Sequence, residues 1–299
     1  MPNLKSIKVR IKSIKSTQKI TQAMKLVAAS KVRKAQVRVL NSRPYSQRVT
    51  NFTKRTVSAM SSLEKQEIPL MNQRDVQSVG IIVISSDRGL CGSYNTNIIK
   101  RTAKRILELE KSGIKPKLIT VGNKANNFFR RTKTEILESF TQLPATPSVE
   151  LANLIANSAE ISFTNKTIDS VEIIGTDFIS MLRNEAYTKH FLPIKEDSSL
   201  PSTSQSEFSS NKSSREVLFE PSLSIVLQSL IPLYLSNIIY HALLEANCSE
   251  LASRMNAMSN ATKNAKELIE NLTIVYNKAR QATITQELAE IVGGVEALK

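Results

Sequence analysis

The chain has no tryptophan, only 5% aromatic residues and eight glycines in 299 residues, with none before Gly80. Thin helical rods have little interior for large rings to fill, so much of this chain is expected to be rod-like rather than globular. Purely apolar runs are also short. Ile81–Ile84 is typical, far below the ~20 residues that span a bilayer, and no membrane-crossing segment is expected. Cys91 and Cys248 follow no metal or redox spacing and cannot make a disulfide framework. Both read as small buried hydrophobes in a reducing compartment. Acid is absent from one whole end. The first Asp or Glu is Glu64, and fifteen Lys and Arg from Lys5 to Arg55 precede it, so residues 1–63 carry the entire net charge of +15.

An acid-free basic helix must face something anionic or be strongly solvated. Three readings compete for it. A mitochondrial transit peptide has this composition, but such a peptide seldom runs sixty residues, and its removal would leave the other end of the chain unpartnered. A DNA-binding zipper joins a basic helix directly to its seam, whereas here the two are some 160 residues apart. A basic helix docked on an acidic protein surface is the preferred reading.

What is present is periodicity. From Leu223 to Val292, alternating steps of four and three give Leu223, Leu227, Leu230, Tyr234, Asn237, His241, Leu244, Cys248, Leu251, Met255, Met258, Thr262, Ala265, Ile269, Leu272, Tyr276, Ala279 and Thr283. This is a coiled-coil seam of roughly eight heptads, with His241 as a polar residue that sets register. No Gly or Pro falls between Pro232 and Gly293. One helix is therefore predicted, too long to bury its stripe on itself, and it needs a partner. Residues 3–43 supply a matching stripe in Leu4, Ile7, Ile11 and Ile14. That stripe slips near Ser16–Thr17 and resumes through Ile20, Met24, Val27, Ala28, Val32, Ala35 and Val39. Pro44 is expected to kink or interrupt the helix, with Val49, Phe52, Val57 and Met60 continuing it towards residue 60. Terminal helices flanking a central segment are expected to pair antiparallel.

Between them the pattern changes to strand alternating with helix, which implies a mostly parallel sheet with right-handed crossovers. Strands are predicted at residues 79–84, 117–121, 135–140 and 171–175, with a fifth from about Phe178 or near Phe191. Helices are predicted at about 94–111, 124–131 and 148–163, the last capped by Ser148. Residues 196–215 are Ser-rich and read as an irregular surface loop, and Glu220-Pro221 is taken to start the terminal helix. The fold class expected is α/β: a long antiparallel two-helix coiled coil with an inserted Rossmann-like domain. Its parts are residues 1–63 (coiled-coil helix), 76–195 (α/β domain), 196–216 (Ser-rich loop) and 217–299 (coiled-coil helix).

Chemistry is sparsely signalled. Ser85-Ser-Asp-Arg-Gly-Leu-Cys-Gly follows the first strand, where doubly wound proteins bind phosphate, but it matches neither dinucleotide nor P-loop spacing. A Gly-x-x-Gly pair there reads as a tight turn, and Asp87 with Arg88 as a local ion pair or turn cap as easily as a ligand pair. His190 and His241 are far apart, and no catalytic constellation or metal cluster stands out.

Five segments together resemble the gamma subunit of F-type ATP synthase. They are Thr17-Gln-Lys-Ile-Thr-Gln-Ala-Met-Lys-Leu-Val-Ala-Ala-Ser-Lys-Val-Arg-Lys-Ala, Ser86-Asp-Arg-Gly-Leu-Cys-Gly, Glu220-Pro221, Ser253-Arg-Met-Asn-Ala-Met-Ser-Asn-Ala-Thr-Lys-Asn-Ala and Tyr276-Asn-Lys-Ala-Arg-Gln-Ala-Thr-Ile-Thr-Gln-Glu-Leu-Ala-Glu-Ile-Val. The resemblance covers both rods and the central domain, in order; the 196–215 stretch is least like the family, and the plastid-type insertion with paired cysteines is not apparent. It implies a non-catalytic rotor shaft without cofactor or metal. It also implies contact with the alpha and beta subunits of the catalytic hexamer through Met24, Arg254, Arg280, Gln281, Thr285, Glu287 and Glu290. An epsilon-type subunit and the membrane c-ring would be met near Val217, Phe219 and Glu220, Val217 standing where the family has Tyr. The place implied is peripheral, on the cytoplasmic face of a bacterial plasma membrane or, alternatively, the matrix face of the mitochondrial inner membrane.

Overall fold

The computed structural model describes residues 4–58, 68–194 and 223–296. Val217, Phe219 and Glu220, the 196–215 loop, Pro221 and Met60 lie outside the described residues. The elements are α1 (Leu4–Ser58), β1 (Ser78–Ile84), α2 (Tyr94–Lys111), β2 (Lys115–Val121), α3 (Asn123–Phe129), β3 (Glu135–Phe140), α4 (Val149–Thr164), β4 (Ser170–Phe178), β5 (Asn184–Leu192) and α5 (Leu223–Glu296), with a 3-10 turn at Pro69–Met71. The fold class matches expectation: an α/β domain inserted between two long terminal helices. The chain divides into two compact units, one formed by Met1–Lys31, Leu90–Gly92 and Leu251–Lys299, the other by Val32–Gly89 and Ser93–Glu250.

In the second unit five strands lie in the order β3-β2-β1-β4-β5. The first four are parallel, and β5 runs antiparallel to β4. The fifth strand is thus Asn184–Leu192 and returns as a hairpin rather than a crossover. β1 is buried along its whole length, as a central strand with both faces covered must be. On α4, Ala152, Ile155, Ala156, Ala159 and Phe163 form one buried face. The Ser148 hydroxyl accepts from the Leu151 N–H at 3.3 Å, the cap that the sequence predicts. Leu227, Ile231, Leu235 and Ile239 of α5 join the same core as Ile82, Ile84, Ile119, Ile155 and Ile173. By length and composition alone α5 passes for a bilayer span; in this unit one face of it, Leu227, Ile231, Leu235 and Ile239, is packed into a protein core.

In this unit α1 and α5 run antiparallel. The Asn237 amide donates to the Ser46 hydroxyl (3.2 Å), and His241 Nδ1 lies 3.2 Å from Ser42 Oγ. The partners' numbers add to 283 in both pairs. Helix α1 passes through Pro44 and runs on to Ser58, so the expected continuation holds and the interruption does not occur. Pro44 leaves the Leu40 carbonyl without its helical donor, but both residues are exposed, so water can take the place of that bond.

The first unit pairs residues 4–31 with residues from Leu251 on. Thr262 and Thr21 meet across the seam, and their numbers again add to 283. From Lys263 to Thr283 the residues withdrawn from solvent are Ala265, Ile269, Leu272, Tyr276, Ala279 and Thr283, the predicted seam. On α1 the prediction needs correction. The seam does not slip at Ser16–Thr17; it keeps its step through Ile14, Gln18, Thr21, Lys25 and Ala28. Ile20 and Val27, expected inside, are 60% and 57% exposed. Polar residues hold the seam positions here, and the apolar ones sit one step off it.

Candidate functional site

The residues predicted for contact with a catalytic hexamer all fall in the first unit, where they form two groups. Met24 and Arg254 are half-buried in the paired region. Arg280, Gln281, Thr285, Glu287 and Glu290 are all exposed. Arg254 lies roughly 39 Å along the helix from Arg280, at ~1.5 Å per residue. The structure therefore does not bring the seven into one site.

The far group stands where the pairing ends. Thr21 opposite Thr262 sets Leu4 opposite Ala279. Residues from Ile284 onward have no described residue of α1 beside them, and every residue from Ile284 to Val292 is exposed. The Thr285 hydroxyl donates back to the Gln281 carbonyl (2.9 Å), and the Gln286 amide donates to Glu290 Oε1 (2.9 Å). Sequence reading missed the apolar stripe here: Ile284, Leu288, Ile291 and Val292 are 47%, 57%, 64% and 64% exposed. Its signal was available. The next seam positions after Thr283 are Gln286 and Glu290, so the apolar residues have left the seam where the partner stops.

The near group has a second neighbour in the loop Leu90–Gly92. Gly92 has φ +58 and lies against α5, where a Cβ would sit 3.7 Å from Ala257 Cβ and 3.9 Å from the Ser253 carbonyl. Leu90, also left-handed at φ 61, is 63% exposed, whereas Cys91 is buried. A side chain would find room there, so it is the left-handed backbone at Gly92 that favours glycine in the loop packed beside Arg254.

Charge sets this unit apart. Residues 1–31 hold eight Lys and Arg and no acid. Among the described residues, Lys8, Arg10, Lys12, Lys15, Lys19 and Lys31 are exposed and none has an ion-pair partner. The lysines of α5 at 263 and 266 lie within ion-pair range of Glu267 and Glu270 on their own helix, at 3.9 and 4.0 Å. The α1 face is therefore an uncompensated positive strip.

From the loop after β1, side chains and a carbonyl reach across to the start of α3 and to Leu143. Asp87 Oδ1 accepts from the Asn123 N–H (2.8 Å) and Oδ2 from the Leu143 N–H (2.5 Å). The Lys124 and Ala125 N–H groups go to the Ser86 carbonyl and the Ser85 hydroxyl, each at 3.0 Å. The start of α3, where an anion would otherwise be held, already has a carboxylate of its own. Asp87 is thus not a cap of its own turn but ties the loop to backbone 36 and 56 residues away. No group of three or more metal-ligating side chains occurs among the described residues. The second unit also carries a groove of about 810 Å³ between α1, α4 and α5, with Tyr45, Val149, Leu154 and Leu233 on its walls and Glu150 and Glu160 at its edge. Burial raises the Glu160 carboxyl above its ordinary range.

Comparison with known proteins follows this geometry. The ATP synthase family model matches residues 3–298. The chain is 43% identical to an ATP synthase gamma chain of Trichormus variabilis and 42% identical to that of Nostoc sp., over the whole length of both chains in each case. Among solved structures, a chain in the central stalk and c-ring of the Tetrahymena thermophila mitochondrial ATP synthase is 26% identical. It aligns with a TM-score of 0.57 over 81% of this chain and 99% of that one. A chain of the Euglena gracilis mitochondrial enzyme, 19% identical with a TM-score of 0.65 over 99% and 94%, shares the fold.

Proposed function

Because the chain belongs to the ATP synthase gamma-chain family and is a rotor component of that membrane-associated complex, we propose that it is the central shaft carrying torque between the ion-driven c-ring and the catalytic hexamer, and that it catalyses nothing itself. The observation carrying this reading is the pairing of residues 4–31 with the helix from Leu251, followed by the unpartnered end beyond Thr283. Two wound helices resist twisting better than one. The free end offers Arg280, Gln281, Thr285, Glu287 and Glu290 to surrounding subunits. Arg280 and Gln281 donate to carboxylates there, and Glu287 and Glu290 pair with basic groups.

Residues 1–63 and 217–299 make the shaft in this reading, and 76–195 its attached domain. Met24 and Arg254 meet the alpha and beta subunits, and the positive strip of α1 faces acidic surface on them, within a Debye length of ~8 Å. An eccentric shaft acts by interacting differently with each state of its neighbours. Val217, Phe219 and Glu220 contact the c-ring and an epsilon-type subunit, by family match alone. The cyanobacterial relatives support the cytoplasmic face of a bacterial membrane over the mitochondrial matrix face.

Subunit composition after gentle membrane extraction tests this. The chain is expected in fixed proportion with an ATP-hydrolysing hexamer, one small subunit and a membrane ring. Extraction of the hexamer and ring without it contradicts the proposal.

A further inference from the structure

An arginine and a histidine converge on one carboxylate oxygen in the sheet-bearing unit. Arg43 of α1 donates to Glu245 Oε1 from Nε (3.3 Å) and Nη2 (3.0 Å), and Nη2 also reaches the Phe178 carbonyl (3.2 Å). His241, one turn before Glu245 on α5, places Nε2 3.4 Å from the same Oε1. The other oxygen, Oε2, accepts from the Phe178 N–H at 2.6 Å. With its side chain 6% exposed, Glu245 has little water to replace any of these partners. One carboxylate therefore joins α1, α5 and the end of β4.

Hydrogen counting limits the ring. Ser42 Oγ lies 3.2 Å from His241 Nδ1 and 2.9 Å from the Val39 carbonyl, and it has one proton to give. A neutral ring carrying its proton on Nε2 turns that N–H towards Glu245 and accepts from Ser42 at Nδ1. The other tautomer sets a lone pair against the carboxylate. A second ring proton frees Ser42 to donate to Val39. It also places a full positive charge beside Arg43, whose guanidinium already gives two N–H groups to the same oxygen.

The charged groups acting on the ring come from four elements: Arg43 from α1, Glu245 from α5, Asp177 from β4 and Lys189 from β5. The Cys248 thiol and the Tyr187 hydroxyl share Glu245 with it as a neighbour. Burial is the largest influence and lowers the His241 pKa. Glu245 opposes it, Arg43 and Lys189 reinforce it, and Asp177 opposes it weakly.

We propose that His241 makes this joint proton-sensitive: on taking up a proton at Nδ1, its ring sets a second full positive charge beside Arg43 at the buried Glu245 carboxylate and loosens the hold of α1 and α5 on the end of β4. The direction follows from linkage. The ring titrates below its ordinary value in the fold, so the unfolded chain binds the proton first. Stability is fully present above about pH 6.5 and falls as pH drops towards the folded value. The consequence for torque rests on the shaft reading; the joint does not.

The test uses the full-length chain, which has two histidines. Ring resonances of His241 are followed by NMR against pH, with His190→Gln giving the assignment, and thermal unfolding is compared for wild type and His241→Gln from pH 7.5 to 5.0. The His241 ring is expected to titrate below the ordinary histidine value of about 6.5. Wild type is expected to lose about 2–4 °C more than His241→Gln across that range. A ring titrating at or above 6.5, or equal losses in the two proteins, overturns the proposal. If His241→Gln does not fold, the ring titration decides alone. In the assembled complex, wild type is expected to pump fewer ions per ATP hydrolysed at pH 5.5 than at 7.5, and His241→Gln to show a smaller change. A titration as expected with an unchanged pumping ratio removes the mechanical consequence and leaves the joint in place.

Discussion

The Thr262 hydroxyl donates to the Thr21 hydroxyl across the helical seam at 2.8 Å, and Thr21 in turn donates to the Gln18 carbonyl at 3.0 Å. Thr262 Oγ1 also lies 2.8 Å from the Met258 carbonyl. A hydroxyl pair across the seam favours this register, because any slip breaks the Thr262–Thr21 bond. Replacing either residue with Val removes one partner and should cost about 0.5–1.5 kcal/mol in urea unfolding of the full chain. Thr21→Val with Thr262→Val should cost clearly less than the two singles added. Strict additivity would show that the hydroxyls do not act as a pair.

Asp87 satisfies two backbone donors, at Asn123 and Leu143, from the loop that opens after β1. Asp87→Ala leaves both N–H groups without that carboxylate and should destabilise the chain by about 1–3 kcal/mol. ATP affinity should be unaffected, since the site binds the protein's own carboxylate. Calorimetry showing that wild type binds nucleotide and that the variant does not would contradict this account of the turn.

The thiol of Cys248 is fully buried on α5, and burial first, then Glu245, pushes its pKa up to about 12. At pH 8 its thiolate fraction is then on the order of a thousandfold below that of an ordinary thiol. Cys91 is buried as well. Neither should react with a disulfide reagent in the folded chain, and both should react in urea. Fast labelling of native Cys248 would show that this part of α5 opens readily.

Much of this architecture was legible in the sequence. The 3.5-residue repeat from Leu251 to Thr283 needed only hydropathy, since α5 places apolar or small residues at most seam positions there. The strand at Ser78–Ile84 and the Ser148 cap were equally local. On α1 the same reading failed, because Gln18, Thr21 and Lys25 hold the seam while Ile20 and Val27 face outward. Hydropathy cannot tell an apolar residue meant for another subunit from one meant for the seam. Asp87 could be read as a turn cap, but its hold on Leu143 depends on a contact 56 residues away. His241 was visible as a polar seam residue. That it shares Glu245 Oε1 with Arg43 depends on how α1 and α5 are set against each other, which no local window contains.

Met24 is half-buried on α1, one turn beyond Thr21. Met24→Lys adds a charge on the proposed hexamer-facing region and should lower ATP synthesis in reconstituted vesicles by severalfold, with hydrolysis less affected. Equal rates in wild type and variant would remove Met24 from the contact surface.

The central claim is mechanical, and rotation tests it directly. With the assembled hexamer fixed to a surface and a bead attached through Lys133→Cys, an exposed position after α3, ATP should drive rotation of the bead in one direction. A bead that stays still relative to the hexamer while ATP is hydrolysed at the normal rate would contradict the shaft.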